Sequence, residues 1–219
     1  MKMIVAVSQK QEKNAYGDNI DTLEQNYIQY VQQFGIIPLV VPNTITDVEA
    51  YLDRFPLEGI IITGGNEVDP LSYGGTRTEG MMFVPERDKT ERALIEYAIK
   101  KKLPVLGICR GMQFLNVYFG GKIISIKPEL GEGKHLPRQN HPLQIIEPSV
   151  QKMLGTESIV NSYHNYGITT TTLSAQLKPF AISPDGLIEG IYHPSLPIVG
   201  IIWHPERKSP DEKFNEKLM

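Results

Sequence analysis

The sequence predicts an α/β protein organised around a mostly parallel sheet covered by helices on both faces. Three observations carry this expectation. Residues 1–8, 36–41 and 59–63 are apolar along the run rather than at alternate positions, as strands buried on both faces read. Segments of helical periodicity separate these runs, as crossovers between parallel neighbours require. Beyond residue 143 the pattern changes to short strands divided by turn signals such as Pro184-Asp185-Gly186, so antiparallel hairpins are expected to flank the parallel core.

Taken in order, residues 1–8 read as a first strand, being too short and lacking the small-residue cleavage site of a signal peptide. Asp21-Thr22-Leu23-Glu24 has capping-box spacing, and Leu23, Tyr27, Tyr30, Val31 and Phe34 follow on one helical face until Gly35. After the strand at 36–41, Thr46-Asp47-Val48-Glu49 opens a helix with Tyr51, Leu52 and Phe55 inside. The third strand, 59–63, ends in Gly64-Gly65. Residues 66–84 make a connection longer than most, which marks it as a functional candidate. Residues 86–102 predict a charged helix ending in Lys100-Lys101-Lys102, favourable at a helix C-terminus. An apolar strand at 103–108 leads into a helix at 110–119, with Met112, Leu115 and Phe119 on one side, stopped by Gly120-Gly121.

A further strand is expected at 122–126. Residues 127–142 read as a loop in which Lys127, Lys134, His135, Arg138 and His141 outnumber Glu129 and Glu132, a candidate lid over an anionic substrate. Short strands follow at 143–147, 158–162, 180–183, 188–192 and 198–203, and helical periodicity nearly vanishes until the tail. No repeat, linker or low-complexity run interrupts the chain, so residues 1–219 read as one domain.

The totals narrow the class. At 219 residues, with 41% apolar and 21% charged, the chain is long enough to bury a sizeable core. A net charge of −3 supplies no global attraction to nucleic acid or an anionic membrane. A lone cysteine forms no internal disulfide, which fits a reducing compartment. No stretch approaches the ~20 apolar residues of a membrane span. A cytoplasmic protein is expected.

That cysteine sits where strand 103–108 meets helix 110–119, in the frame Gly107-Ile108-Cys109-Arg110-Gly111. The frame has the logic of a nucleophile elbow: a sharp strand-to-helix turn presents the side chain at its apex, and glycines on either side permit the close approach. The unpaired N–H groups of a helix N-terminus also stabilise a thiolate. A cysteine nucleophile needs a base, and the base an orienting group. Of five histidines, His204 ends the strand 198–203 and lies two residues from Glu206, so in extended chain both side chains project to one side. His141 and His193 also precede proline but have no carboxylate at that spacing. His135 lies in the expected lid, and His164, between Tyr163 and Asn165, suits the wall of a site better than the base. Oxyanion donors are expected from the Arg110 N–H, which follows the nucleophile, and from Gly64-Gly65 after the third strand.

Together these segments resemble the class I glutamine amidotransferase superfamily, and within it the γ-glutamyl hydrolase branch (peptidase C26-type, γ-glutamyl-aminobutyrate hydrolase-like). The matching segments are Ile62 to Gly74, Glu86-Arg87-Asp88 with Glu91, Gly107 to Gln113 with Asn116 and Gly120-Gly121, Asn161 to His164, Ser183 to Glu189, and Trp203-His204-Pro205-Glu206, in family order. The resemblance implies a flavodoxin-like or Rossmann-like three-layer sandwich and a Cys109–His204–Glu206 triad. It further implies an oxyanion hole at Gly65 and Arg110, and Gly64, Asn66, Gln113, His164 and Tyr166 around a γ-glutamyl group. No metal or organic cofactor is implied, and the partner is a small γ-glutamyl compound rather than nucleic acid or membrane; a homodimer is compatible.

Two positions depart from the branch: Tyr166 and Ile202 stand where it usually has Gln, and both are expected near the site. The chain also ends soon after Glu206, so a long C-terminal helix is not expected. With the basic loop, these departures bring an anionic or nucleotide-linked leaving group, such as that of a γ-glutamyl-CDP-amidate, into the field. The alternatives are a glutaminase subunit passing ammonia to a synthetase partner, and a non-catalytic binding protein on the same scaffold. The complete residue set weighs against the last.

Overall fold

The computed structural model of the chain describes residues 3–126 and 139–218. In order these form β1 (Ile4–Ser8), β2 (Lys10–Lys13), β3 (Asn19–Thr22), α1 (Gln25–Gln33), β4 (Ile37–Val41), α2 (Val48–Leu52), β5 (Leu57–Ile62), a 3-10 turn (Pro70–Tyr73) and α3 (Pro85–Lys101). Then come β6 (Val105–Ile108), α4 (Arg110–Tyr118), β7 (Ile124–Ser125), β8 (Gln139–Ile145), α5 (Pro148–Leu154), β9 (Glu157–Ser162) and β10 (Tyr166–Gly167). β11 (Lys178–Ile182), β12 (Ile188–Tyr192), β13 (Ile198–Ile201) and α6 (Glu212–Glu216) complete them.

The apolar runs pair side by side in a nine-stranded sheet of order β4-β1-β5-β6-β13-β12-β11-β8-β9. The first five are parallel and the remaining pairings antiparallel. Successive strand residues face opposite sides. Ala6, Ile60, Ile62 and Val105 therefore enter a core with Leu52, Leu94 and Met112, beneath α2, α3 and α4. Val5, Val7, Ile61 and Ile108 enter a second core with Tyr27, Val31 and Phe214, beneath α1 and α6. This is a flavodoxin-like three-layer arrangement, and it explains why these strands lack polar alternation.

Several boundaries differ from expectation, each for a local reason. The capping box at Asp21 does not form. Helix α1 starts at Gln25 with Glu24 as its uncapped N-cap, because Asp21 belongs to β3 and its carboxylate accepts from Asn43 N and Nδ2, both at 2.8 Å. β2 and β3 make a polar hairpin whose turn is tied by Asn14 Oδ1 accepting from the Tyr16 and Asp18 N–H groups; it carries no apolar alternation to announce it. The expected loop 127–142 is corrected at its end: residues 139–142 start β8, and His141 is a buried strand residue paired with Val160. The rest of that candidate lid lies outside the described residues. The strand expected at 122–126 is only β7, paired with β10 away from the main sheet. Helix α5 buries only Leu154 and so lacks an apolar stripe. No helix among the described residues is long and apolar enough to cross a membrane.

At the elbow the backbones press together. A Cβ on Gly111 would lie 2.1 Å from the Ile62 carbonyl oxygen, and one on Gly107 would lie 2.7 Å from the Gly111 carbonyl carbon. Gly111→Ala should therefore destabilise by about 1–3 kcal/mol or more. Gly59→Ala, whose nearest contacts would be 3.5 Å away, should change stability by less than about 1 kcal/mol. Urea unfolding of the two variants checks this; equal effects would refute the close-approach account.

Candidate active site

Three adjacent parallel strands set the site. In register, Ile62 of β5 lies beside Gly107 of β6, and Ile108 of β6 beside Ile201 of β13. Leaving their C-terminal ends, the chain delivers Gly64-Gly65, Cys109 and His204 to one place, as open α/β sheets do.

Cys109 has φ 53° and ψ −107°, a left-handed conformation uncommon outside glycine. The strand before it and the helix after it over-determine that conformation: its N–H donates to Ile201 O at 2.8 Å, and the Gln113 N–H donates to Cys109 O at 3.2 Å. The side chain, 7% exposed, sits at the N-terminus of α4. The Arg110 N–H is in that helix's first turn, where N–H groups lack an intrahelical partner. The Arg110 guanidinium runs the opposite way, into buried ion pairs with Asp88 and Glu91.

His204 is fixed at its backbone by Asn161 of β9. The Asn161 amide accepts from the His204 N–H at 2.9 Å and donates to the His204 carbonyl at 2.8 Å, a side chain imitating a strand partner. The imidazole Nδ1 lies 2.5 Å from Glu206 Oε1, which leaves Nε2 for the Cys109 sulfur. Burial works against the charged ring, but the Glu206 carboxylate and Cys109 outweigh it and hold the His204 pKa up at about 10.

Gly64 closes the group from the third strand. A Cβ there would meet Tyr27 Oη at 3.0 Å, His204 Cε1 at 3.1 Å and Cys109 Cβ at 3.6 Å. The Gly64 N–H donates to Tyr27 Oη at 2.9 Å, and burial, then the neighbouring Glu206, push the Tyr27 hydroxyl pKa well up. The next N–H, that of Gly65, has no protein acceptor among the described residues and borders the same cleft as Cys109.

That cleft, about 200 Å³, is walled by Cys109, Gly65, Asn66, Arg110, Gln113, His164 and Tyr166, together with Lys10, Glu12, Glu67 and Tyr163. Gln113 Nε2 donates to Tyr166 O at 3.0 Å. The Asn66 amide is engaged with the Gln11 backbone, accepting from its N–H at 3.0 Å and donating to its carbonyl at 2.8 Å. It thereby ties the β2–β3 hairpin to the site. Ile202 is corrected: its side chain is 1% exposed in the core beneath α4 and does not border the cleft. Sequence reasoning also missed Lys10 and Glu12, which the hairpin carries into the cleft 2.5 Å apart, and the Tyr27 and Asn161 contacts. Only Asn161 had a signal, its place in the segment with His164.

Behind the cleft, His141, His164 and Glu189 bring their ligand atoms within 4.8 Å of one another. Each histidine has Nδ1 3.0 Å from a backbone carbonyl, of Pro142 and Tyr166 respectively, which directs Nε2 to the Glu189 carboxyl at 3.5 and 3.9 Å. Burial, then Asp185 and Cys109, raise the Glu189 pKa well above the carboxylate range. The spacing also admits a small cation.

Residues 3–206 match the peptidase C26 family. The γ-glutamyl-γ-aminobutyrate hydrolase PuuD of Escherichia coli K12 is 30% identical over 221 residues, covering 92% of this chain and 85% of that protein. Protein NtpR of Enterococcus hirae is 31% identical over 205 residues, covering 87% and 83%. Among solved structures, a glutamine amidotransferase from Thermotoga maritima covers 100% of this chain and 81% of its own at TM-score 0.60 and 17% identity, a likeness of fold.

The His204 geometry has a measurable consequence. In Glu206→Gln the attraction that favours the charged ring is removed, so the imidazole titration followed by NMR should move from about 10 toward or below the ordinary 6.5. Because the folded-state value is raised, the pair's contribution to stability is full below 6.5 and lost as pH rises through about 10. The stability gap between the two proteins should follow that window; an unmoved titration would contradict the pairing.

Proposed function

The chain belongs to the peptidase C26 family, and from that membership we propose that it is a cysteine-dependent hydrolase cleaving the γ-glutamyl amide bond of a small γ-glutamyl compound to release L-glutamate. The observation that carries the reading is Cys109 held at φ 53° beside the His204–Glu206 pair, at the wall of a cleft.

In this reading His204 takes the Cys109 proton at Nε2, the sulfur attacks the γ-carbonyl carbon, and negative charge develops on the carbonyl oxygen between the Gly65 and Arg110 N–H groups. The tetrahedral intermediate collapses with cleavage of the C–N bond as His204 passes that proton from Nε2 to the departing amine. A γ-glutamyl thioester remains on Cys109. His204, now neutral, takes a proton from water, the hydroxide adds to the thioester carbon, and cleavage of the C–S bond frees glutamate and the sulfur. Glu206 keeps the ring oriented and stabilises its charged form in both halves. Gly64, Asn66, Gln113, His164 and Tyr166 shape the γ-glutamyl subsite: Gly64 by leaving room beside the nucleophile, Gln113 by its amide at the wall, and Asn66 and His164 by fixing the wall's backbone.

We place the leaving amine toward the mouth, where Lys10 is paired with Glu12 at 2.5 Å and would exchange that carboxylate for an anionic leaving group; a nucleotide-linked phosphoramidate such as γ-glutamyl-CDP-amidate is one member of that class. A glutaminase subunit feeding ammonia to a synthetase is the second reading, favoured by the glutamine amidotransferase fold of the Thermotoga maritima structure.

Glutamate release by the purified protein alone separates these readings. With L-glutamine, γ-glutamyl-aminobutyrate, other γ-glutamyl amines and a nucleotide-linked γ-glutamyl phosphoramidate as substrates, one amide should turn over well and glutamine poorly. Cys109→Ala should reduce the rate by roughly 10³-fold or more. Silence on every compound would sink the stand-alone hydrolase. Lys10→Ala should raise KM about tenfold for anionic leaving groups, equivalent to ~1.4 kcal/mol, and leave neutral ones nearly unchanged. Equal changes for both classes would remove Lys10 from leaving-group recognition.

A further inference from the structure

Arg87 is wholly buried, yet most of its donors serve one short segment. Nη2 donates to Thr63 O at 2.7 Å, to Gly64 O at 2.9 Å and to Thr63 Oγ1 at 3.2 Å, and Nη1 donates to Asn66 Oδ1 at 3.3 Å. The remaining nitrogen, Nε, donates to Glu91 Oε1 at 2.8 Å, which balances the charge. Glu91 in turn accepts from Ser8 Oγ at 2.8 Å, anchoring the guanidinium to β1.

The segment needs such an anchor. Gly64 has no side chain, and Gly65 adopts φ +115°, so neither residue fixes the plane of the peptide between them. A Cβ on Gly65 would lie 2.9 Å from Arg87 Nη1, so the guanidinium occupies the face a side chain would otherwise fill. The peptide is trans, which sends its C=O and N–H in opposite directions. Holding Gly64 O toward Arg87 therefore turns the Gly65 N–H away from Arg87, toward the cleft wall it shares with Cys109. A cation on the carbonyl also polarises the peptide and strengthens its N–H as a donor.

We infer that Arg87 is a positioning residue for the oxyanion site, locking the Gly64–Gly65 peptide so that the Gly65 N–H faces the charge that develops on the substrate carbonyl. The inference rests on the proposed γ-glutamyl hydrolase reading. Arg87 touches no reacting atom; it acts through the peptide. A mainly structural arginine would affect folding, substrate binding and thiol reactivity together, whereas a positioning one affects the step in which an oxyanion forms.

Arg87→Lys tests this, because a lysine ammonium keeps the charge but lacks the planar guanidinium whose Nη1 and Nε hold Asn66 and Glu91 while Nη2 is aimed at the two carbonyls. The readouts are thermal unfolding, kcat and KM on the best γ-glutamyl amide, Cys109 alkylation by iodoacetamide, and inhibition by 5-oxopentanoate, the γ-aldehyde analogue without the α-amine that would cyclise onto it. Alkylation displaces iodide at carbon and builds no oxyanion; the aldehyde adds the thiol to give a thiohemiacetal that does. Expected are a kcat lower by about 10²–10³-fold, aldehyde affinity lower in parallel, and KM and alkylation rate within about threefold.

Unchanged kcat and aldehyde affinity in a folded variant would overturn the inference, as would a parallel fall in all four measurements. If Arg87→Lys does not fold, Arg87→Gln carries the same test; failure of both to fold would assign Arg87 to stability and overturn it. Aldehyde binding that depends on Arg87, in a protein that turns over no γ-glutamyl amide, would sink the substrate reading while leaving the inference standing. Absence of Cys109-dependent aldehyde binding in the unsubstituted protein would overturn both.

Discussion

The structure depends on the close approach of three backbones at the end of the parallel sheet. Gly111 brings the first turn of α4 against the Ile62 carbonyl, and Gly107 lets the same turn ride over β6. Closed this tightly, the strand-to-helix junction has one way to turn, and Cys109 takes the left-handed conformation as a result. The strain costs about 1–3 kcal/mol, which the packing of β5, β6 and α4 offsets. The thiol is consequently aimed by the backbone, at the N-terminus of α4.

Electrostatics reinforce what the backbone aims. Arg87 and Arg110 are almost fully buried beside Asp88 and Glu91, at a desolvation cost that ion pairing with the two carboxylates offsets in part. Their geometry, rather than their net energy, accounts for their place: one guanidinium anchors the segment after β5, and the other anchors the start of α4. The two segments expected to supply oxyanion N–H groups are thus tied, through Glu91, to a single rigid network on α3. On the opposite side the His204–Glu206 pair is secured by Asn161 from the antiparallel half of the sheet, so both halves of the fold contribute to one site.

The cleft's outer wall is of a different kind. The hairpin β2–β3 is polar, carries Lys10 and Glu12, and is attached to the site through the Asn66 amide on the Gln11 backbone. Core strands hold Cys109 and His204; a surface hairpin presents charge at the mouth. This division lets the outer wall vary without disturbing Cys109 and His204. On the inner side, the His141–His164–Glu189 cluster supports the wall near Tyr166.

The sequence by itself determined the features that are local along the chain. Continuous apolar runs, the glycines around Cys109 and the two-residue spacing of His204 and Glu206 each depend on a few neighbouring positions, where backbone period alone decides which side chains share a face. Even locally it misled where a distant partner competed: Asp21 has the spacing of a helix cap, yet Asn43 takes its carboxylate. Polar elements were the hardest to read, because the β2–β3 hairpin and the start of β8 have little apolar pattern to reveal them. Only the tertiary structure decided that β13 lies beside β6, that Asn161 grips the His204 backbone, that Arg87 reaches the carbonyls after β5, and that Ile202 faces the core rather than the cleft. The physical reason is that these contacts are set by strand order and register between segments far apart in sequence. That register is chosen by burying both faces of the whole sheet, not by the spacing of any one stretch.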